Sequence, residues 1–426
     1  MSVLLAGGRV FAATDDAVIE DGAVLVDGAE IVWVGRAADA PVAAEVIDCS
    51  GGTILPGLID AHAHLVYHDV TDTYSIELAK SLEEATIDAL ENAATLLRLG
   101  FTGIRDVGAR GKISIVVRDA VAQGRVPGPR VKACKQIISV WGGLGDFHPT
   151  HVFGREQYRG ALTEIITGPW EARNAVRQQV KDGVDWVKVE ASGTGFSPLC
   201  PAERDTISEE ELRAVVDEAT EKGRPVACHA ESRRAIIKAA RAGVRTIEHA
   251  IYLDDEGLEA IIDAGVAICP TLALYTAFAE KGLQFGIPRE VVENHRRTHE
   301  HHVAAIRKAH EAGVPIIAGS DAGLANFPTG GGLEEICSYV ELVGMTPAQA
   351  LTTATRAAAD VVGFADAGTL EPGKRADVLI IDGNPLENIR VMTKPGVVHA
   401  VFQGGVLVSG ALQGSEVARA PHHADS

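Results

Sequence analysis

The sequence predicts an α/β fold: a parallel (β/α)8 TIM barrel with a small β-sandwich domain formed by both termini. Three observations predict it. Short apolar strands alternate with longer helical stretches from about residue 57 to 365. Both ends of the chain read as Gly-turned hairpins. A length of 426 residues accommodates one barrel of about 250 residues plus a smaller module. The expected boundaries are 1–56 with 366–412 for the β domain, 57–365 for the barrel, and 413–426 for a solvated tail.

At the N-terminal end, VLLAGGRVF and AVLVDGAEIVWVG alternate and turn at Gly and Asp-Gly; DVLIIDGNP and VVHAVFQGGVLVSG do the same near the other end. Between them lie eight candidate barrel strands, at 58–65, 103–108, 130–138, 185–192, 225–232, 246–250, 267–272 and 315–323. The intervening segments include SEEELRAVVDEATEKG, for which Ser208 is a plausible cap, and REVVENHRRTHEHHVAAIRKAHEAG. In the second, His295, His299 and His302 fall at i, i+4, i+7, but Arg296, Arg297 and Glu300 interleave. A solvated amphipathic helix is expected there rather than a metal-binding face. Gly330-Gly331-Gly332 lacks the Lys and Ser/Thr of a phosphate loop and is expected to be a flexible loop near the eighth strand. His422 and His423 belong to the expected tail and are not expected to be ligands.

Composition narrows the function. Apolar residues at 46% and charged residues at 23% exclude disorder over most of the chain. The balance of 39 Lys and Arg against 58 Asp and Glu gives a net charge of −19. Such a surface repels nucleic acid and anionic lipid, so a small molecule is the expected partner. No apolar run reaches the roughly 18 residues of a membrane span, and the first residues lack a basic signal-peptide start, so a cytoplasmic protein is expected. A homo-oligomer is compatible with the composition. The six cysteines (49, 134, 200, 228, 269 and 337) form no CxxC pair and read as reduced core residues.

Polar residues concentrate at the C-terminal ends of the candidate strands, where barrel active sites are built. His62 and His64 stand at i and i+2, so both side chains face the same way and can reach one metal ion. His229 closes the fifth strand and His249 the sixth; imidazole is the commonest ligand of zinc-like ions. Asp321, closing the eighth, could ligate a metal, move a proton, or cap a turn. Lys188 should point into the barrel, where a lone ammonium beside metal ions suffers desolvation and repulsion. Either it pairs with Glu190 or Glu203, or its neutral amine takes up carbon dioxide as a carbamate and becomes an anionic two-oxygen bridge.

His62-Ala63-His64, Lys188, His229, His249 and Asp321, in that order, resemble the binuclear-metal branch of the amidohydrolase superfamily. LPGLIDAHAHL and GTLEPGKRADVLIIDGNPL carry the same resemblance, which spans nearly the whole chain. It implies two divalent ions, zinc being the expected metal. His62 and His64 would hold the more buried ion, His229 and His249 the more exposed one. Carboxylated Lys188 would bridge them, and Asp321 would ligate the buried ion and move the proton. A metal-bridging hydroxide would then attack an amide-type carbonyl in an amide, peptide-like bond, carbamate or urea.

RDVG, GPRVKAC, AGVRTIEHA and GMTPAQALTTAT resemble more closely the branch of Xaa-Pro and Xaa-Lys/Arg dipeptidases, ochratoxin-degrading amidases and herbicide amide or urea hydrolases. Two positions depart from it. Leu144 stands where many members carry the His of GGHGD, and Glu231 replaces an aromatic residue two positions after the strand-five His. Glu231 shares the face of His229, so it would either repel a substrate carboxylate or orient a metal-bound histidine. His148 and Tyr275, with Trp141 and Phe147, would line the pocket or pack loops. The alternatives are an Xaa-Pro or Xaa-Lys/Arg dipeptidase, a deaminase or imidazolone hydrolase (against which Lys188 counts), and a non-catalytic amidohydrolase-like scaffold.

Overall fold

The computed structural model describes residues 2–68, 70, 78–151, 154, 156, 160–197, 199–324 and 327–410; the expected tail, with His422 and His423, lies outside these residues. The chain opens with β1 (Ser2–Phe11), β2 (Val18–Asp27), β3 (Glu30–Arg36), β4 (Glu45–Asp48) and β5 (Gly52–Pro56). Alternation follows: β6 (Leu58–Ala63), α1 (Leu82–Arg98), β7 (Phe101–Asp106), α2 (Ile113–Ala122), β8 (Arg130–Ala133), β9 (Ile137–Val140), β10 (Thr163–Ile166) and α3 (Gly168–Asp182). Then come β11 (Val187–Glu190), α4 (Glu209–Glu221), β12 (Val226–Ala230), α5 (Arg233–Ala242), β13 (Thr246–His249), α6 (Asp255–Ala264) and β14 (Ala267–Cys269). The helices α7 (Leu272–Lys281), α8 (Arg289–Glu311), α9 (Gly332–Ser338), α10 (Pro347–Thr353) and α11 (Arg356–Val362) precede β15 (Val378–Asp382), β16 (Val398–Gln403) and β17 (Val406–Gly410).

Strands from the two ends share one sheet, in the order β17-β16-β15-β5-β1-β2-β3, with β4 on β1. One apolar cluster joins Leu5, Val10 and Ile54 to Val378, Ile380 and Phe402, so alternate residues of both ends fill a common core. Two parallel sheets carry the middle of the chain: β6-β7-β8 and β10-β9-β11-β12-β13-β14. Backbone bonds link them on both sides. Asp185 N–H donates to Ala133 O at 2.8 Å, tying the approach to β11 to β8. Ile268 N–H donates to Pro315 O and Ile317 N–H to Ile268 O, while Ala61 N–H donates to Ala318 O and Asp321 N–H to His62 O. Residues 315–321 therefore run between β14 and β6.

Three expectations need correction. The eighth segment is not a regular strand; its bridge is Ile316–Ile268, and Ala318 gives its N–H to Thr353 O, which interrupts the ladder. The third candidate strand breaks in two, because the buried Gln136 side chain turns aside to donate to the carbonyls of Ala161 and Thr163. β9 then pairs with the additional strand β10. Finally, α8 is amphipathic, but His295 and His302 lie on its buried face with Val291, Thr298 and Ile306, while Arg296, Arg297 and Glu300 face out. Neutral imidazoles packed on aromatic rings can occupy a core where guanidinium groups cannot.

Ser208 caps α4 as expected, its Oγ accepting from Glu211 N–H in a capping box. Gly330 and Gly331 lie in a turn, and Gly332 begins α9. All six cysteines are free and buried. Among the described residues no helix is long and apolar enough to cross a membrane.

Candidate active site

Six residues singled out from the sequence meet at one cavity. His62, His64, Lys188, His229, His249 and Asp321 all line it. The ligand-type atoms of His62, His64 and Asp321 lie within 4.8 Å of one another, and so do those of His229, Glu231 and His249. The two groups adjoin, with ring centroids 5.1 Å apart for His62–His249 and 4.6 Å for His229–His249. The backbone is bent to achieve this: His249, Ala250, Thr271 and Asp321 all take positive φ, at 72°, 57°, 54° and 51°. Left-handed non-Gly residues are sterically disfavoured, and their clustering at a site marks a conformation the surroundings enforce. Asp60 contributes by accepting from the N–H groups of His62 and Ser320, fixing two ligand-bearing segments to each other.

Each imidazole has one nitrogen engaged from behind. His62 Nδ1 lies 2.6 Å from Glu248 Oε2, and His64 Nδ1 is 2.7 Å from Gly108 O. His249 Nδ1 is 2.7 Å from Thr271 Oγ1, whose hydroxyl donates to Pro270 O and so accepts from the ring. These contacts place a proton on Nδ1 and leave Nε2 with its lone pair toward the cavity. His229 is reversed: Nε2 meets Gly193 O at 2.8 Å, leaving Nδ1. Such outer contacts fix the tautomer of a metal-binding histidine. Burial also lowers the basicity of all four rings, to about 4 for His64, to about 3 for His229, and well below the usual value for His62 and His249. Neutral imidazoles are what a divalent ion requires.

Lys188 is 1% exposed, and its Nζ has no hydrogen-bond partner among the described residues. Of the two alternatives, pairing with Glu190 or Glu203 is not observed among the described residues. Glu190 accepts from Ser139 Oγ and Thr206 Oγ1, and Glu203 accepts from the Tyr252 hydroxyl. Burial pushes the Lys188 amine down and the Asp321 carboxyl up, both toward neutrality. An unpaired amine in such a place is strongly disfavoured as an ammonium. The donor set of four imidazoles, one carboxylate and this amine fits a pair of divalent ions once the amine carries a carboxylate.

Two residues that position the site escaped the sequence reading. Burial alone would raise the Glu248 carboxyl, but Arg105, Lys188 and His62 outweigh it and hold the group well below the usual range. Arg105, fully buried, donates to Glu248, Thr246 Oγ1 and Ala61 O and lies 4.6 Å above the Trp186 ring. Strand alternation could have found Glu248, two residues after Thr246 on the same face. Cys269 also offers an atom within 4.8 Å of His62 and Glu248, but burial holds its thiol protonated.

Around this centre the cavity is largely apolar, walled by Leu144, Phe147, Leu162, Phe196, Leu274 and Phe278. Tyr275 is among the lining residues, and its hydroxyl donates to Glu231 Oε1 at 2.5 Å. Glu231 is fully buried behind Tyr275, with Oε2 accepting from Gly195 N–H. His148 is half-buried and not among the described lining residues, Trp141 is largely exposed, and Phe147 is on the wall. His295, read from sequence as part of a solvated face, is on the wall too.

Residues 53–408 match the sequence profile of the amidohydrolase family. The chain belongs to the amidohydrolase family. This amidohydrolase is 31% identical over 418 residues to ochratoxinase of Aspergillus niger, across 92% of this chain and 84% of that one. It is 27% identical to imidazolonepropionase of Deinococcus deserti, across 92% of both chains. Among solved structures it resembles an Xaa-Pro dipeptidase with bound methionine in the active site (TM-score 0.86, 30% identity), covering 96% of this chain and all of that one.

Proposed function

We propose that this amidohydrolase cleaves an amide-type C–N bond of a small molecule (an amide, peptide-like bond, carbamate or urea) at a centre of two divalent ions bridged by carboxylated Lys188. The observation that carries the reading is the buried Lys188 Nζ without a partner, set among four neutral imidazoles and Asp321. Carbon dioxide adds to the neutral amine, forming the N–C bond and releasing one proton, and the resulting carbamate is an anionic ligand in place of a costly buried ammonium. His62 and His64 would hold one ion, His229 and His249 the other, with Asp321 on the first. The ions, best matched by zinc in donor type, would supply Lewis-acid polarisation of the scissile carbonyl and activation of water.

The remaining chemistry belongs to the chain. Asp321 lies 3.5 Å from His64 Nε2 and 3.7 Å from His62 Nε2, so its carboxyl is at the centre itself. It takes the proton of the attacking water and delivers it to the leaving nitrogen, without which an amide leaves poorly. The aromatic and aliphatic wall excludes water and holds the substrate's apolar part. The bonds that link the two parallel sheets support reading the middle of the chain as a closed (β/α)8 barrel whose eighth position is the irregular segment 315–321, and the sheet shared by both ends supports a small sandwich-like β domain.

Likeness to the Xaa-Pro dipeptidase structure favours a second reading, hydrolysis of dipeptides with a free C-terminal carboxylate. A panel of N-acyl amino acids and their matched amides separates the two. Turnover of the neutral amides at least as fast as the free acids supports the first reading. Consistent preference for the free acids supports the dipeptidase. No hydrolysis of either, with metal-loaded protein, overturns both.

A further inference from the structure

Three of the described residues on the cavity wall carry a buried polar side-chain atom without a partner in the protein: Lys188, Thr163 and His295. Lys188 belongs to the proposed metal centre. Thr163 packs against the Gly145 backbone so closely that a Cβ there would stand 2.0 Å from its methyl group. His295 remains. It is 2% exposed, and neither ring nitrogen has a hydrogen-bond partner among the described residues.

Its placement is built. The neighbouring Asn294 donates from Nδ2 to Gly195 O at 3.0 Å, anchoring α8 to the loop after β11. Gly195 makes the approach feasible, since a Cβ there would meet the His295 ring at 3.0 Å. The ring stands edge-on to Tyr275 at 5.0 Å and to Phe278 at 5.2 Å, and Phe278 lies 6.2 Å from Phe196. Tyr275 in turn is 5.5 Å from the His249 ring, so His295 is one aromatic residue removed from the proposed centre. Burial lowers its basicity to about 3, leaving an uncharged ring with one donor and one acceptor at neutral pH. A buried polar group left unpaired is unfavourable, and His295 lines the cavity, from which a ligand can supply the partner. Apart from Lys188, no Lys or Arg is among the described lining residues, so a charged carboxylate would find no cation beside His295.

We propose that His295 is the specificity-determining contact of this cavity: it hydrogen-bonds an uncharged polar substituent, such as a hydroxyl, on an aromatic part of the substrate held by Phe196, Tyr275 and Phe278. The inference rests on the amidohydrolase reading of the same cavity and names the substrate class that reading leaves open.

The test uses ligands that the enzyme cannot hydrolyse. Binding of benzyl alcohol and of the three hydroxybenzyl alcohol isomers to the full, metal-loaded protein is measured by ligand-observed NMR. At least one isomer should bind about fivefold more tightly than benzyl alcohol, the effect of one net hydrogen bond. The advantage should vanish in His295→Phe, which keeps an aromatic ring, and persist in part in His295→Gln, which keeps a donor and an acceptor. Equal binding of all four to the unmodified protein overturns the proposal. So does an advantage that survives in His295→Phe; should that variant not fold, loss of the advantage in His295→Leu serves in its place. Hydrolysis of aryl amides is followed separately. If binding behaves as expected while no amide is cleaved, the assignment of His295 stands and the amidohydrolase reading falls.

Discussion

Glu248 holds His62 from behind: its Oε2 lies 2.6 Å from His62 Nδ1, and both side chains are buried. The carboxylate aims the Nε2 lone pair at the cavity and raises the ring's basicity as a ligand. Outer contacts of this kind typically account for about 10–100-fold in metal affinity. Glu248→Gln should therefore weaken metal binding by about that factor in chelator competition, with activity recovering at high metal concentration. Unchanged affinity would show the contact to be packing only.

Arg105 completes the same network. Removing it strands the Glu248 charge in the interior, and breaking a buried pair in this way destabilises by about 3–5 kcal/mol. Arg105→Met should lower stability by that order in chemical denaturation. The double variant Arg105→Met, Glu248→Gln should be less destabilised than the two single effects summed, because no unpaired charge remains.

His295 predicts a pH dependence of stability. Its folded-state pKa is lowered by burial from 6.5 to about 3. The unfolded chain therefore binds a proton that the folded chain refuses whenever the pH lies between those values. This group's contribution is intact above 6.5 and declines as pH falls, by about 1.4 kcal/mol per unit. Between neutral pH and about pH 5, His295→Gln should lose about 2 kcal/mol less stability than the unmodified protein. Parallel losses in denaturation midpoints would show that the ring is already solvated.

Tyr275 donates to a carboxylate that has no solvent access. Tyr275→Phe leaves that acceptor short of a partner, and should destabilise by about 1–3 kcal/mol. If Tyr275 also shapes the substrate wall, KM should rise more than kcat falls in the same variant. An effect on kcat alone would place the hydroxyl in the chemistry instead.

The sequence disclosed those parts of the site whose residue type is costly anywhere else. Two histidines two apart on a strand, and a lysine facing inward among Val187 and Val189, have few structural explanations. The parallel alternation disclosed the barrel-like order for the same reason, period-two strands separated by capped helices. What was not legible depends on long-range packing. His295 sits on a helix whose exposed face is rich in charge, and nothing local says which of its imidazoles turns inward. Arg105 and Glu248 lie 143 positions apart, so their pairing emerges only when β7 and β13 are brought together. The eighth segment reads as a strand by composition, yet its backbone is shared between β14, β6 and Thr353.

The most direct test of the account is the metal content of the active protein, by elemental analysis, in the unmodified chain and in Lys188→Ala. Active protein should hold two equivalents per chain, the variant should lose metal, and short carboxylates supplied in solution should partly restore it. One equivalent or none in active protein, or two retained in Lys188→Ala without any added carboxylate, would contradict it.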